Sequence, residues 1–272
     1  MIVRNEERNL PRCLGCVRDL ASEAIVVDTG STDATPHIAS AYGATVLTFD
    51  FRIPDFAAAR NHALAHATGD WILVLDADET LHSTAGAAIR NLIGRNENTG
   101  YYFERHNRAA GTAAPTIDYA VRLFPNRPVF RFRGRVHETV DASILRAGGT
   151  LCKTQVRLDH NFSTDVESRR RRNRWYIKIL LEEVAADPSD DTRLDFLAAE
   201  YHQLEMFHEA AAVAERIVQL RPRDPRAHVV AGIYHLVYTH NPGRARADFE
   251  QALHLRPNYP EAESYLRQIG RG

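Results

Sequence analysis

The hydrophobic period of this chain changes once, near residue 165, and that change constrains the fold more than any single motif. Before it, short β-type runs alternate with amphipathic stretches; after it, every segment reads as helix. Residues 23–28 (Glu-Ala-Ile-Val-Val-Asp) read as a short buried strand that stops at the turn-rich residues 29–33. Residues 33–42 carry Ile38, Ala39 and Tyr42 at helical spacing. A second strand is expected at 44–49, and a helix over 56–68 closed by Gly69 in the left-handed conformation. A fully apolar strand follows at 71–75, then a helix at 84–93. Strands alternating with helices imply βαβ units, so the expected fold class is α/β with a mostly parallel sheet. The later runs at 101–103, 119–124 and 129–132 have no helices between them and are expected as antiparallel additions to the sheet edge.

The helical tail repeats. Pro188, Pro222 and Pro257 lie 34 and 35 residues apart, and Glu215, Leu220, Arg221 and Pro222 recur as Glu250, Leu255, Arg256 and Pro257. Ala210, Ala214, Ala231, Ala245 and Ala252 supply small residues for close helix pairing. A period of about 34 with a proline closing the second helix is the tetratricopeptide signature, and the tail resembles that family over roughly two and a half repeats. Such repeats serve as a groove for a protein partner or as a structural cap. The expected division is an α/β domain over 1–165, a connecting helix over 166–186 and repeats over 187–272. The run Arg169, Arg170, Arg171, Arg172, with Arg174 after it, falls on the connecting helix. It reads as a solvated face, with a phosphate-bearing molecule or an anionic membrane surface as the alternative.

Composition narrows the class. The 272 residues are 44% hydrophobic and 25% charged, which fits a globular protein and excludes a disordered or disulfide-held one. Basic and acidic residues number 34 and 35, for a formal charge of −1. The bulk positive charge of a nucleic-acid binder is missing, so no nucleic-acid partner is expected. Lys153 and Lys178 are the only lysines, which leaves few places for a catalytic amine. Cys13, Cys16 and Cys152 cannot all pair, which argues for a reducing compartment. Cys13 and Cys16 form a C-x-x-C, but Leu10, Leu14 and Val17 around them mark a helical face. They read as two helix cysteines, with metal or redox work as the alternative. No apolar run approaches the roughly 18–20 residues that span a bilayer, and residues 1–7 are too short and too acidic for a signal peptide. The expected location is cytoplasmic, extending to peripheral attachment at the inner face of the membrane.

Three loops fall at or near strand ends, where α/β sheets open their ligand crevices. Asp76-Ala77-Asp78-Glu79 follows the apolar strand directly. In an extended chain residues two apart face the same way, so Asp76 and Asp78 are expected side by side. Two such carboxylates are costly unless something positive lies between them, and a divalent cation that also binds substrate phosphates fits. The second loop is Asp28-Thr29-Gly30-Ser31-Thr32-Asp33, in which Gly30 permits a tight turn and Ser31 or Thr32 can cap the next helix. It is either a capped connection or a place where Asp28 accepts from a base N–H. The third, residues 56–61, opens a helix and offers Arg60 as a phosphate or ribose contact or as a plain surface arginine.

Taken in order, Met1-Ile-Val-Arg-Asn-Glu-Glu7, Val26-Val-Asp-Thr-Gly-Ser-Thr-Asp33, Ala59-Arg-Asn61 and Gly69-Asp-Trp-Ile-Leu-Val-Leu-Asp-Ala-Asp-Glu79 resemble family 2 glycosyltransferases of the GT-A fold. With Arg122-Leu-Phe-Pro-Asn126, Gly134-Arg-Val-His-Glu138 and the repeats, the chain is similar to the subgroup containing sublancin-type S-glycosyltransferases and lipopolysaccharide-core glucosyltransferase-like proteins. The resemblance implies a Rossmann-like mixed sheet with helices on both faces, followed by an all-α segment. It also implies an inverting enzyme that uses Mn²⁺ or Mg²⁺ and a nucleotide-diphospho-sugar, a UDP-sugar foremost. The acceptor would be a peptide, glycan or lipid-linked molecule. It places Asn5 and Glu7 near the nucleoside, Asp28 at the base, Arg60 along the nucleotide, Asp76 near the ribose and Asp78 on the metal. His160, in Val156-Arg-Leu-Asp-His160, stands where the fold often adds a metal ligand. Glu138 and His137 are the expected catalytic residues; the pair is expected to follow a strand close to where the family places its base, with Glu138 as that base and orienting His137 or Arg135 as its alternative role.

The chain departs from the family in starting inside the first strand, which implies a misplaced start or a shortened nucleotide site. It also has a short acceptor region, whose one long loop is 109–115. The D-x-D-x-T pattern at 76–80 fits haloacid-dehalogenase-type phosphatases too, but no G-D-x-x-x-D follows it. A nucleotidyltransferase would carry a glycine-rich first loop, which Arg4-Asn5-Glu6-Glu7 is not. The remaining alternative is a non-catalytic tetratricopeptide adaptor with a relic nucleotide-binding domain.

Overall fold

The computed structural model describes residues 1–93, 98–109, 114–162 and 165–270. It separates into two compact units, Met1–Thr164 and Asp165–Gly272.

The first unit is built on two sheets. β1 (Ile2–Val3), β2 (Ile25–Asp28) and β3 (Thr45–Thr48) run parallel in that order. A five-stranded mixed sheet takes β4 (Trp71–Leu73), β5 (Glu79–Leu81), β6 (Thr99–Ala109), β7 (Thr116–Pro125) and β8 (Thr150–Phe162) in the order β4-β7-β6-β8-β5. The single, mostly parallel sheet is corrected here. β4 covers only part of the expected strand 71–75, and it pairs antiparallel with β7, Leu73 opposite Leu123. β1 has only two residues, and its hydrogen bonds go to β2. The long β7 supplies the ladder that β4 needs.

Helices cover both faces of the mixed sheet, as expected. On one side α1 (Leu10–Val17) and α4 (Ala85–Leu92) bring Cys13, Val17 and Ile89 against Leu75, Phe103, Leu123 and Leu158. On the other, α3 (Phe56–His66) and α5 (Asp141–Arg146) bring Ala57, Leu64 and Ile144 against Val74, Val121 and Phe124. Val74 and Leu75 are neighbours in sequence yet serve opposite cores, which is the pleat of an extended chain. Each large side chain buried this way contributes about 1.5–3 kcal/mol. α2 (Thr35–Ala41) packs Ala39 against Val3 and Val26 of the parallel sheet.

Three local expectations change. α3 stops at His66 because Ala67 turns extended, and Gly69 is not left-handed. Its N–H instead donates to Glu23 Oε1 at 2.8 Å. Residues 129–132 form no strand: Phe130 N–H closes a turn onto Arg127 C=O, and the buried Phe130 and Phe132 complete the α3-side core. The two helix cysteines pack as read. Both are free thiols, Cys13 fully buried, and burial pushes both pKa values up. The loop expected over 109–115 includes residues 110–113, which lie outside the described residues.

The second unit is a row of helices: α6 (Val166–Ala186), α7 (Asp191–Gln203), α8 (Phe207–Leu220), α9 (Pro225–Ile233), α10 (Pro242–Leu255) and α11 (Pro260–Ile269). Residues 166–186 are α6, the first helix of this unit. Pro188, Pro222 and Pro257 each lie two residues past a helix end. The repeat alanines do the packing expected of them: Ala210, Ala214 and Ala231 are buried in one cluster, Ala245 and Ala252 in the next with Phe249. Gly232 is needed there, since a Cβ would lie 2.7 Å from the Phe249 ring. The α6 arginines 169–172 and Arg174 are exposed. Among the described residues no helix is long and apolar enough to cross a membrane.

Candidate functional site

The D-x-D carboxylates do not share a face, because residues 76–79 are not extended. Glu79 N–H donates to Asp76 C=O at 3.0 Å and closes a turn, which splays the two side chains apart. Asp76 accepts from Arg60 Nη2 at 2.7 Å and from Arg122 Nη2 at 2.8 Å. Asp78 lies 3.1 Å from His160 Nε2 through its Oδ2. The adjacent carboxylates expected from spacing are therefore corrected to two separate settings.

The setting of Asp76 is a chain of alternating charge. Arg60 Nε donates to Glu138 Oε1 at 2.6 Å, and Arg122 donates to Glu79 as well as to Asp76. Arg105 continues the chain from Glu79, at 3.7 Å, to Asp118, at 2.8 Å. The arginine side chains are only 9% (Arg60) and 7% (Arg122) exposed, so these charges interact far from bulk water. Burial would raise the Asp76 pKa, but Arg60 and Arg122 outweigh it and hold the carboxyl far below the usual range. Glu79 is wholly buried; burial pushes it up, Arg122 opposes, and the nearby Asp76 adds to the rise. Both arginines hold their protons more tightly than usual: burial opposes this, and Asp76 with Glu138 (Arg60) or Glu79 (Arg122) prevails. Arg60 is thus not a plain surface arginine. Its guanidinium also sits 5.5 Å over the Phe132 ring.

Glu138 does not follow a strand. It lies in the bend between Arg133 and Thr139, which form an isolated bridge, and it holds Arg60 rather than only His137 or Arg135. His137 beside it is left-handed at φ 50°, a conformation costly for a residue with a Cβ.

The loops after β1 and β2 are stitched to each other. Asn5, left-handed at φ 56°, accepts from Thr32 N–H at 2.8 Å and donates its own N–H to Ser31 Oγ at 2.9 Å. Glu7 Oε2 accepts from Ala34 N–H at 3.1 Å. Asp28 is buried and accepts from the N–H groups of Gly30 and Ser31, each at 3.2 Å, with Gly30 at φ 102°. Asn5, Glu7 and Asp28 therefore build the rim, and the observed partners of their side chains are backbone and hydroxyl groups of that rim.

Among the described residues no three His, Cys, Asp or Glu side chains form a ready metal cage. Asp78 and His160 form a pair, and β5–β8 register explains it: Glu79, next to Asp78, lies opposite His160. One carboxylate oxygen and one imidazole nitrogen would suit Mn²⁺ better than Mg²⁺. The donor set fits such an ion. Glu6 lies in the negative field at this mouth: burial raises its pKa, Asn9 opposes, and Asp78, Asp33 and Asp76 add to the rise.

Arg122, Glu79 and Glu6 were not assigned roles from sequence. Arg122 opens the motif at 122–126 and Glu79 ends the D-x-D loop, but only the fold shows that both are buried against Asp76. Cavities of about 100 Å³ and 270 Å³ lie along 23–26 and 69–75, toward the strand starts and away from Asp28 and Asp78.

The sequence model of glycosyl transferase family 2 matches residues 1–152. A TPR repeat-containing protein of Synechococcus elongatus is 48% identical over 147 residues, 53% of this chain and 35% of that protein. Glycosyltransferase SunS of Bacillus subtilis is 27% identical over 221 residues, 77% of this chain and 50% of that one. An uncharacterized glycosyltransferase of Rickettsia typhi is 27% identical over 153 residues, covering 53% and 51%. The chain thus spans about a third to a half of the length of these relatives. Among solved structures, the first TPR of Spaghetti (RPAP3) bound to an HSP90 peptide is 23% identical with a TM-score of 0.32, over 39% of this chain and 90% of that one.

Proposed function

The chain belongs to glycosyl transferase family 2 through residues 1–152, and from that premise we propose that it moves a sugar from a nucleotide-diphospho-sugar to a peptide, glycan or lipid-linked acceptor. The observation that carries the reading is the Asp78–His160 pair, one carboxylate and one imidazole 3.1 Å apart at the mouth of the mixed sheet. A divalent cation held there, Mn²⁺ or Mg²⁺, would neutralise the departing diphosphate.

The chain's own residues divide the remaining work. Asp78 and His160 supply the metal donors, and Glu6 lies in the negative field that draws a cation in. The stitched loops of Asn5, Glu7 and Asp28 form a preset rim for the nucleoside; Asp28, already oriented by two backbone N–H groups, has lone pairs left for a base N–H. Arg60 and Arg122 hold the 76–79 turn in place through Asp76. Glu138, oriented by Arg60, is the carboxylate proposed to take the acceptor proton in an inverting transfer.

A thermal-shift panel of UDP, GDP, CDP and TDP, each with and without Mn²⁺, tests the reading. One diphosphate, UDP foremost, is expected to stabilise the protein only with Mn²⁺, by about 2.7 kcal/mol at 100 times its Kd. No shift with any pairing would move the adaptor reading ahead.

A further inference from the structure

Asn107 has no part in the function proposed so far, yet the sheet places it directly beside the metal-site histidine. In the parallel β6–β8 ladder Asn107 lies opposite His160, and in the antiparallel β6–β7 ladder Arg105 lies opposite Asp118. Asn107 Oδ1 is 2.7 Å from His160 Nδ1. The Nδ2 of the same amide points toward Arg105 C=O at 3.5 Å. Asp118 is gripped by Arg105 Nε and Nη2, each at 2.8 Å.

These contacts settle the amide's orientation by chemistry. A backbone carbonyl only accepts, so the end of Asn107 turned to Arg105 C=O must be the NH₂ group. The end turned to His160 is then the carbonyl oxygen, which also only accepts. His160 Nδ1 must therefore carry the ring proton. In the neutral ring Nε2 then presents a lone pair, 3.1 Å from Asp78 Oδ2. Two acceptors at that distance need a cation between them, either a second proton or a metal ion.

We infer that Asn107, oriented through Arg105 C=O, is a positioning residue that fixes His160 in the Nδ1–H tautomer and aims Nε2 at the metal beside Asp78. The metal half of this inference rests on the reading proposed above; the tautomer half does not. Outer partners of metal-bound histidines act in this way, and losing one typically weakens metal affinity by about 10–100-fold.

Nitrogen-15 NMR of histidine-labelled protein above neutral pH reads the tautomer, with His160→Gln assigning the signal, and EPR of Mn²⁺ alone reads affinity. Wild type is expected to show His160 as Nδ1–H. Asn107→Leu is expected to shift it toward Nε2–H and to weaken Mn²⁺ binding by about 10–100-fold. Asn107→Asp, which keeps an acceptor, is expected to retain the tautomer and most of the affinity. An Nε2–H signal in wild type, or an unchanged tautomer in folded Asn107→Leu, overturns the inference. Should Asn107→Leu not fold, the wild-type and Asn107→Asp tautomers decide alone. Should wild type bind no Mn²⁺, the metal reading fails while the tautomer still decides the role of Asn107.

Discussion

Asp76→Asn is expected to lower the free energy of unfolding by about 3 kcal/mol, the low end of the roughly 3–5 kcal/mol cost of breaking a buried ion pair. The low end applies because the Asp76 side chain is 31% exposed, although both partners are deeply buried. The substitution leaves Arg60 with Glu138 and Arg122 with Glu79, but removes the charge between them. The pH dependence should change in a defined sense. Asp76 is held below the unfolded value, so its contribution is complete above the usual carboxylate range near pH 4 and is lost as pH falls through that range toward its depressed value. Glu79 is shifted up and acts oppositely: its protonation favours the fold as pH falls, and its ionisation costs stability as pH rises. Urea melts between pH 7 and pH 3 should show a steeper acid loss in wild type than in Asp76→Asn. Equal slopes, or no loss of stability at pH 7, would contradict the buried network.

Asp78→Asn is expected to do the reverse, sparing the fold and removing the chemistry. Its side chain is 32% exposed and its observed partner is His160, so the pair contributes about 0–1 kcal/mol at most. Turnover of the donor found in the nucleotide panel should fall by about 10²–10³-fold, the scale of losing one charge-stabilising group. The remaining turnover should no longer respond to added Mn²⁺. A variant that stays folded and keeps its metal response would show that Asp78 does not hold the ion.

The contrast between these two aspartates marks what the sequence could and could not reveal. Its periodicities located helices, strands and the repeat, because burial of one face leaves a pattern along the chain. Alternation also suggested that Asp76 and Asp78 point together. The inference failed because a turn, closed by Glu79 N–H on Asp76 C=O, replaces the pleat at that point. Arg122 and Asn107 were illegible for a different reason: their partners lie 46 and 53 residues away and meet them only through strand register. The two-sheet arrangement was hidden likewise, since nothing local to residues 71–75 says that the neighbouring strand will be β7. Glu138 was found as a carboxylate near the site, but its tie to Arg60 spans 78 residues.

Pulsed EPR of Mn²⁺ bound together with the diphosphate selected by the panel tests the central claim most directly. The expected spectrum carries hyperfine coupling to one imidazole nitrogen, which disappears in His160→Gln, alongside phosphorus coupling from the nucleotide. Bound Mn²⁺ that shows phosphorus coupling but no nitrogen coupling in the wild-type protein would contradict a cation site built from Asp78 and His160.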